Sequence, residues 1–315
     1  MNKIAMRNLL RVVTVVFTLL FFSCKHKDLC YENMFTANIN VVFDWKKAPD
    51  ADVETMRLYL FPLDGGKPLP YEFTDIRGGK ITVPVGRYRA LCINSDTDSL
   101  LFRNIDAYDT FEAYAPDGSM NVATYSAFQE GRAVSQRVGS SPDRFYTDRM
   151  EDLYFKVSKE DQNVFFYPDN LICRYRIEVR NVSNLQYVAP GFVTGGLSGM
   201  SEGVYVGQNK LKSESMVIPF EMTSDGVSTL KTEFLTFGQH ESTQTHKVAI
   251  YVVMPDGNDK LYVYDVTDQV HSAPNPRDVY IILDGLPLPK PIVNGGGFQP
   301  SVDNWEDVEV DLPMK

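Results

Sequence analysis

The chain has 315 residues, of which 43% are hydrophobic, 12% aromatic and 23% charged, a globular balance that excludes wholesale disorder, collagen and coiled coil. Its 31 basic and 41 acidic residues give a net charge of −10, which repels phosphate backbones and argues against a nucleic-acid partner. Four cysteines and four histidines leave little room for a zinc cluster or a disulfide scaffold, and no metal or other cofactor is expected.

Lys3, Arg7 and Arg11 open the chain with no acidic residue among them. Residues 12–22 (VVTVVFTLLFF) then form an apolar run. As a helix it spans roughly 16 Å at 1.5 Å per residue, about half a bilayer core and too short for a membrane anchor. A basic start, a short apolar run and the small Ser23 read as an export signal over residues 1–23. Leu20-Phe21-Phe22-Ser23-Cys24 resembles a bacterial lipobox, with Phe22 where a smaller residue is usual. The resemblance implies a diacylglycerol on Cys24, with residues 24–34 as a tether to the fold. Without the leader, 28 basic minus 41 acidic residues leave −13.

Period-2 alternation predicts strands over residues 35–43, 56–61, 80–83 and 88–93. Turn residues separate them: Leu63-Asp64-Gly65-Gly66, Arg77-Gly78-Gly79 and Pro84-Val85-Gly86. Residues 121–134 read as a weak helix or a loop. The polar stretch 131–161, with Gly, Ser and Pro near its middle, reads as the passage between two domains, 35–165 and 166–285. Further strands are predicted over 174–179, 187–188, 216–221, 230–237, 247–254, 261–266 and 279–283. Pro255-Asp256-Gly257-Asn258 is a hairpin turn, and residues 268–272 suit one helical turn. Residues 286–315 form a Pro- and Gly-rich linker and an isolated strand, 305–312, which begins at Trp305. In it Val308, Val310 and Leu312 share one face, while Asp307, Glu309 and Asp311 share the other. Many short strands with Gly and Pro turns argue for an all-β chain of β-sandwiches. Cys92 and Cys173 fall in apolar runs and read as small buried hydrophobes; a disulfide is permitted outside the cytoplasm, but no spacing demands one.

Chemical constellations are sparse. Gly196-Leu197-Ser198-Gly199-Met200 imitates a nucleophile elbow, but Met200 fills the place that needs a small residue, so a flexible Gly-rich loop is expected. His240, Glu241 and His246 lack a motif that would supply further metal ligands. Asn94-Ser95-Asp96-Thr97-Asp98-Ser99 alternates oxygen donors like the start of a calcium loop. It has no glycine at the sixth place and no glutamate at the twelfth, so a capped turn is expected. No catalytic residue is assigned, and the chain is not expected to be an enzyme.

Cys24 in its lipobox, Phe43-Asp44-Trp45, and Met56-Arg57-Leu58-Tyr59-Leu60-Phe61-Pro62 begin a wider resemblance. Ile81-Thr82-Val83-Pro84-Val85-Gly86-Arg87-Tyr88 is similar to the strand–turn–strand P-x-G-x-Y element of transthyretin-like sandwiches, and Trp305 opens a terminal strand. Together these resemble the fimbrillin-related lipoproteins of Gram-negative anaerobes, the type V pilus group, nearest to their minor or anchor-like subunits. The resemblance implies two transthyretin-like β-sandwich domains in tandem after a lipoprotein signal peptide. It also implies an outer-membrane location through the lipid on Cys24 and a role in fimbrium assembly or adhesion. Partners would be fimbrial subunits joined by β-strand addition, with a host or glycan ligand as a further class. Trp305, Val308, Val310 and Leu312 are then the candidate donor strand, pairing either within their own domain or with a neighbouring subunit. The competing reading is a surface glycan-binding lipoprotein of a polysaccharide-uptake system. That class presents a platform of exposed aromatics, whereas this chain has two tryptophans.

Overall fold

The computed structural model describes residues 35–129, 136–239 and 244–291. Cys24 and the strand carrying Trp305, Val308, Val310 and Leu312 lie outside the described residues, as do His240 and Glu241. The chain is all-β and divides into two units. The first comprises residues up to Ile93 together with Asp148–Pro168; the second comprises Asn94–Thr147 and everything from Asp169 onward.

In the first unit, Thr36–Phe43 lies between Gln162–Phe166, which runs parallel to it, and the antiparallel Gly78–Pro84. Its alternation is strict. Ala37, Ile39, Val41 and Phe43 are buried, while Thr36 and Asn38 face water. A second sheet orders Tyr146–Phe155, Gly86–Asn94, Met56–Pro62 and Leu69–Phe73. Met56, Leu58 and Leu60 fill its inner face. Phe43 meets Phe73 edge-on at 5.2 Å, joining the two sheets into a sandwich. The P-x-G-x-Y element has a physical reason here. The Tyr88 hydroxyl donates to the Pro84 carbonyl at 2.8 Å, locking the turn in the manner of a tyrosine corner.

In the second unit one sheet orders Thr223–Ser224, Leu230–Thr236, Cys173–Ser183 and Asp278–Pro287. The other orders Asp259–Asp265, Lys247–Val253, Val193–Ser201, Ser215–Glu221 and Arg137–Val138. Parallel pairing sets Tyr175, Ile177 and Val179 beside Val279, Ile281 and Leu283 on one buried face. Phe220 stacks on Phe234 at 5.2 Å, and Phe234 on Tyr175 at 6.2 Å, so one aromatic column crosses the core. The helix Val122–Gln129 packs Phe128 against Val217 and Ala249. A smaller sheet orders Lys210–Leu211, Gly203–Tyr205, Glu112–Tyr114 and Leu101–Arg103.

Several expectations are corrected. The passage 131–161 holds a ten-residue strand, Tyr146–Phe155, whose ends Tyr146 and Phe155 are buried. Its middle is polar because it is held by ion pairs from the neighbouring strand, Arg87 to Asp152 and Arg89 to Glu151. That strand carries the chain back into the first unit, which therefore draws its residues from two stretches of the sequence. Residues 187–188 are not a strand: Leu185–Tyr187 form a 3₁₀ turn entered through Asn184 in the left-handed region. The Gly-rich segment 196–200 is no flexible loop but part of the buried strand Val193–Ser201. A side chain at Gly195 would lie 2.4 Å from the Ala249 carbonyl oxygen, so the glycines there serve close packing. The expected linker also starts late. Leu286 and Leu288 are buried, and the strand runs on to Pro287, pairing Leu286 with Val182.

Candidate functional site

A sheet edge carries N–H and C=O groups that another strand can pair with, so the edges are where a β-protein can take up a partner strand. In the second unit the edge strand Asp278–Pro287 is already covered, though by side chains. Gln269, on the short helix Thr267–His271, donates its amide to the Ile282 carbonyl at 3.0 Å and accepts the Ile282 N–H at 2.8 Å. Tyr264 donates its hydroxyl to the Gly285 carbonyl at 3.0 Å, and Tyr262 donates to the Pro287 carbonyl at 2.7 Å. Asn184 adds a bond to the Leu288 carbonyl at 2.6 Å. Burial pushes the Tyr264 phenol up to about 12 and raises Tyr262 as well, so both remain donors at neutral pH. One amide and two phenols thus do the work of a neighbouring strand.

The first unit differs. Gln162–Phe166 has Thr36–Phe43 on one side and no strand on the other among the described residues. Its Phe165 is 46% exposed. The Asp259–Asp265 edge of the second unit also ends its sheet, with Leu261 and Val263 partly exposed.

The second unit also buries a charge cluster that the sequence did not announce. Lys212, 5% exposed, donates to Glu202 at 2.5 Å and to Glu112 at 2.9 Å. Arg103 forks onto the two Glu112 oxygens at 2.6 and 2.8 Å and lies over the Tyr114 ring. Burial works to raise the Glu112 carboxyl, but the hydrogen bonds from Arg103 and Lys212 outweigh it and hold it below the ordinary value. Burial likewise opposes the Lys212 charge, and Glu202 and Glu112 outweigh it and raise the amine. The cluster ties Glu112–Tyr114 to Gly203–Tyr205 and its neighbours. A consequence is measurable in acid. A carboxylate with a lowered folded value contributes stability above its unfolded value of about 4.3, lost as pH falls through the folded one. Asp278, held down by its hydrogen bonds from Arg174, acts in the same direction. Urea unfolding should therefore show stability flat from pH 7 to 5 and falling steeply below pH 4, with a shallower fall in Glu112→Gln.

The chemical candidates read from the sequence are placed as follows. Ser198 is fully buried and its hydroxyl accepts the Lys247 N–H at 3.0 Å, while the His246 ring meets the Ser198 carbonyl, not its hydroxyl. Asn94 accepts the Tyr146 N–H at 2.8 Å, and Asp143 accepts the N–H groups of Asp98 and Ser99 at 2.8 and 2.6 Å. That segment is a pinned turn. Cys92 and Cys173 are buried free thiols. No helix among the described residues is long and apolar enough to cross a membrane. Sequence reasoning missed Lys212, one of whose partners, Glu112, lies on a strand remote along the chain, and Gln269, whose bonds reach Ile282 on the strand that follows its helix.

Comparison with known proteins adds to this geometry. The family model described as "Domain of unknown function (DUF5119)" matches residues 23–221. A Bacteroides ovatus protein provisionally named fimbrium anchoring subunit Fim4B is 24% identical over 94% of this chain and 95% of its own length. A crystal structure of a provisional adhesin from Bacteroides ovatus covers 81% of this chain and 94% of its own, with 21% identity and a TM-score of 0.62. A structure from Bacteroides thetaiotaomicron, provisionally described as a polysaccharide-binding protein, covers 79% of this chain and 90% of its own. It is 10% identical, with a TM-score of 0.51.

Proposed function

The chain belongs to the family described as a domain of unknown function (DUF5119), and within it we propose that this member is an anchoring or accessory component of a fimbrium at the cell surface. The observation that carries the reading is the match to the fimbrium anchoring relative, which runs along nearly the whole of both chains. The physical features agree. Two β-sandwich units, sheet edges that invite strand pairing and a lipobox-like Cys24 describe a structural subunit and not a catalyst. The role is non-enzymatic, and Ser198 in particular is spent on a backbone bond. Among the comparisons, the glycan-uptake alternative rests on the Bacteroides thetaiotaomicron protein, which at 10% identity is a likeness of fold alone.

The finer parts of the proposal are the lipid and the strand. Cys24 carries the diacylglycerol that holds the protein to the outer membrane. A clickable fatty acid fed to cells should label the wild type and leave Cys24→Ser unlabelled and released; equal labelling of both removes the lipid. The terminal strand with Trp305, Val308, Val310 and Leu312 adds to a sheet edge. Because side chains already cover Asp278–Pro287, the readier acceptors are the edge at Asp259–Asp265 in the strand's own unit and the edge at Gln162–Phe166 of a neighbouring copy. A chain ended at Gly297 should melt like the full one if the strand is donated to a partner, with fimbrium recovery lost. A large fall in melting temperature places the strand in its own fold, and no change in either discards strand addition.

A further inference from the structure

The second unit carries a cavity of about 520 Å³, within the roughly 300–1,000 Å³ of small-molecule sites. It lies where the start of the helix Val122–Gln129 meets the ends of three strands, beside Thr194, Glu221 and Val253. Phe192, Phe220 and Tyr251 give it three aromatic rings, and Met120 and Pro219 complete an apolar wall. Phe192 is 47% exposed, which is unusual for a phenylalanine bordering a core strand. It follows Gly191, whose φ of +81° suits glycine and turns the chain just before the ring. Tyr251 is fixed through its hydroxyl to Asp259.

Two polar features decide what would fit. Thr124 lines the cavity, is 1% exposed, and its hydroxyl has no hydrogen-bond partner among the described residues. A buried hydroxyl left unpaired costs about 1–3 kcal/mol, so its presence asks for a ligand that supplies the bond. Among the described residues no lysine or arginine lines the cavity, and Glu221 places a carboxylate at it. Phosphate, sulfate, sialic acid and uronates are therefore repelled, as the net charge also disfavours them. A purely apolar side chain would leave Thr124 unsatisfied. A neutral pyranose has what both demand, with C–H faces that pack on aromatic rings and hydroxyls at their rim.

The geometry points to this cavity as a binding site for neutral sugar residues, with Phe192 as the stacking ring and Thr124 as the buried hydrogen-bond partner. This goes beyond the fimbrial reading and does not rest on it.

The test is a printed array of neutral, sialylated and uronate-bearing glycans, with apolar peptides alongside, probed with the full chain. Calorimetry then follows on the tightest neutral glycan. Neutral glycans should bind and anionic ones should not. Phe192→Ala, at an exposed ring, should abolish binding while leaving the melting temperature within a degree or two. Thr124→Val should weaken it about tenfold, the worth of one buried hydrogen bond, without loss of fold. The proposal is overturned if no neutral glycan binds, if anionic glycans are preferred, or if neither variant changes the affinity. Binding of apolar peptides alone, lost in Phe192→Ala, also overturns it and makes the cavity a protein-docking pocket.

Discussion

Lys212→Met should cost the second unit about 3–5 kcal/mol, the range measured when one partner of a buried ion pair is removed. For a unit of this size that is a fall in melting temperature of roughly 6–20 °C. The reason lies in what the change leaves behind. Glu112 is 2% exposed and would keep only Arg103, while Glu202 would lose its closest cation. The methionine itself packs without strain, so the loss reports stranded carboxylates and not a cavity. Adding Glu112→Gln and Glu202→Gln to Lys212→Met should therefore recover most of the stability. Scanning calorimetry of the three proteins separates the cases: if the triple variant melts as low as the single one, the cluster is not held by charge. A second signature is the acid limb. With Lys212 gone, the lowered Glu112 value rises and the fall in stability begins at higher pH.

Gly78→Ala should damage the first unit as severely, by a different mechanism. Gly78 has φ of +115°, and a methyl there would lie 2.0 Å from the Val41 carbonyl oxygen, a backbone atom that cannot swing aside. The strain and the clash together should exceed about 3 kcal/mol. Gly66 isolates the two effects. Its φ is +117° with nothing within 4 Å of the added methyl, so Gly66→Ala should cost only about 1–2 kcal/mol, from backbone strain alone. Equal urea midpoints for the two variants would show that the Gly78 contact relaxes freely.

The parts of this architecture that the sequence made legible are those with a period. Thr36–Phe43 alternates so cleanly that its inner face can be named from its residues alone, and the Pro84–Tyr88 turn carries its own chemistry. The illegible parts share one cause: their environment comes from residues far along the chain. Tyr146–Phe155 is polar because Arg87 and Arg89 stand opposite it, so it reads as a passage between domains. Gly196–Met200, within the strand Val193–Ser201, reads as a loop because the strand's glycines serve close approach of Ala249 and Phe220, which propensity does not see. The candidate sites were hidden for another reason. Gln269 and Thr124 are ordinary residues in sequence, and only the fold gives one an edge to cover and the other a bond to seek.

The interleaving of the two units sets a timetable for the newly made chain. Asn40 finds Asn163 only after 123 further residues, and Arg174 finds Asp278 only after 104. At roughly 5–20 residues per second, the opening strand waits about 6–25 seconds for its parallel neighbour, and non-local pairings of this kind close slowly. By the time Gln162–Phe166 arrives to finish the first unit, Asn94–Thr147 has already emerged, though the second unit still lacks its main strands. The first unit therefore matures beside an unfinished second one, whose apolar faces stay open until Asp278–Pro287 emerges. Such a chain gains from being kept extended until synthesis ends.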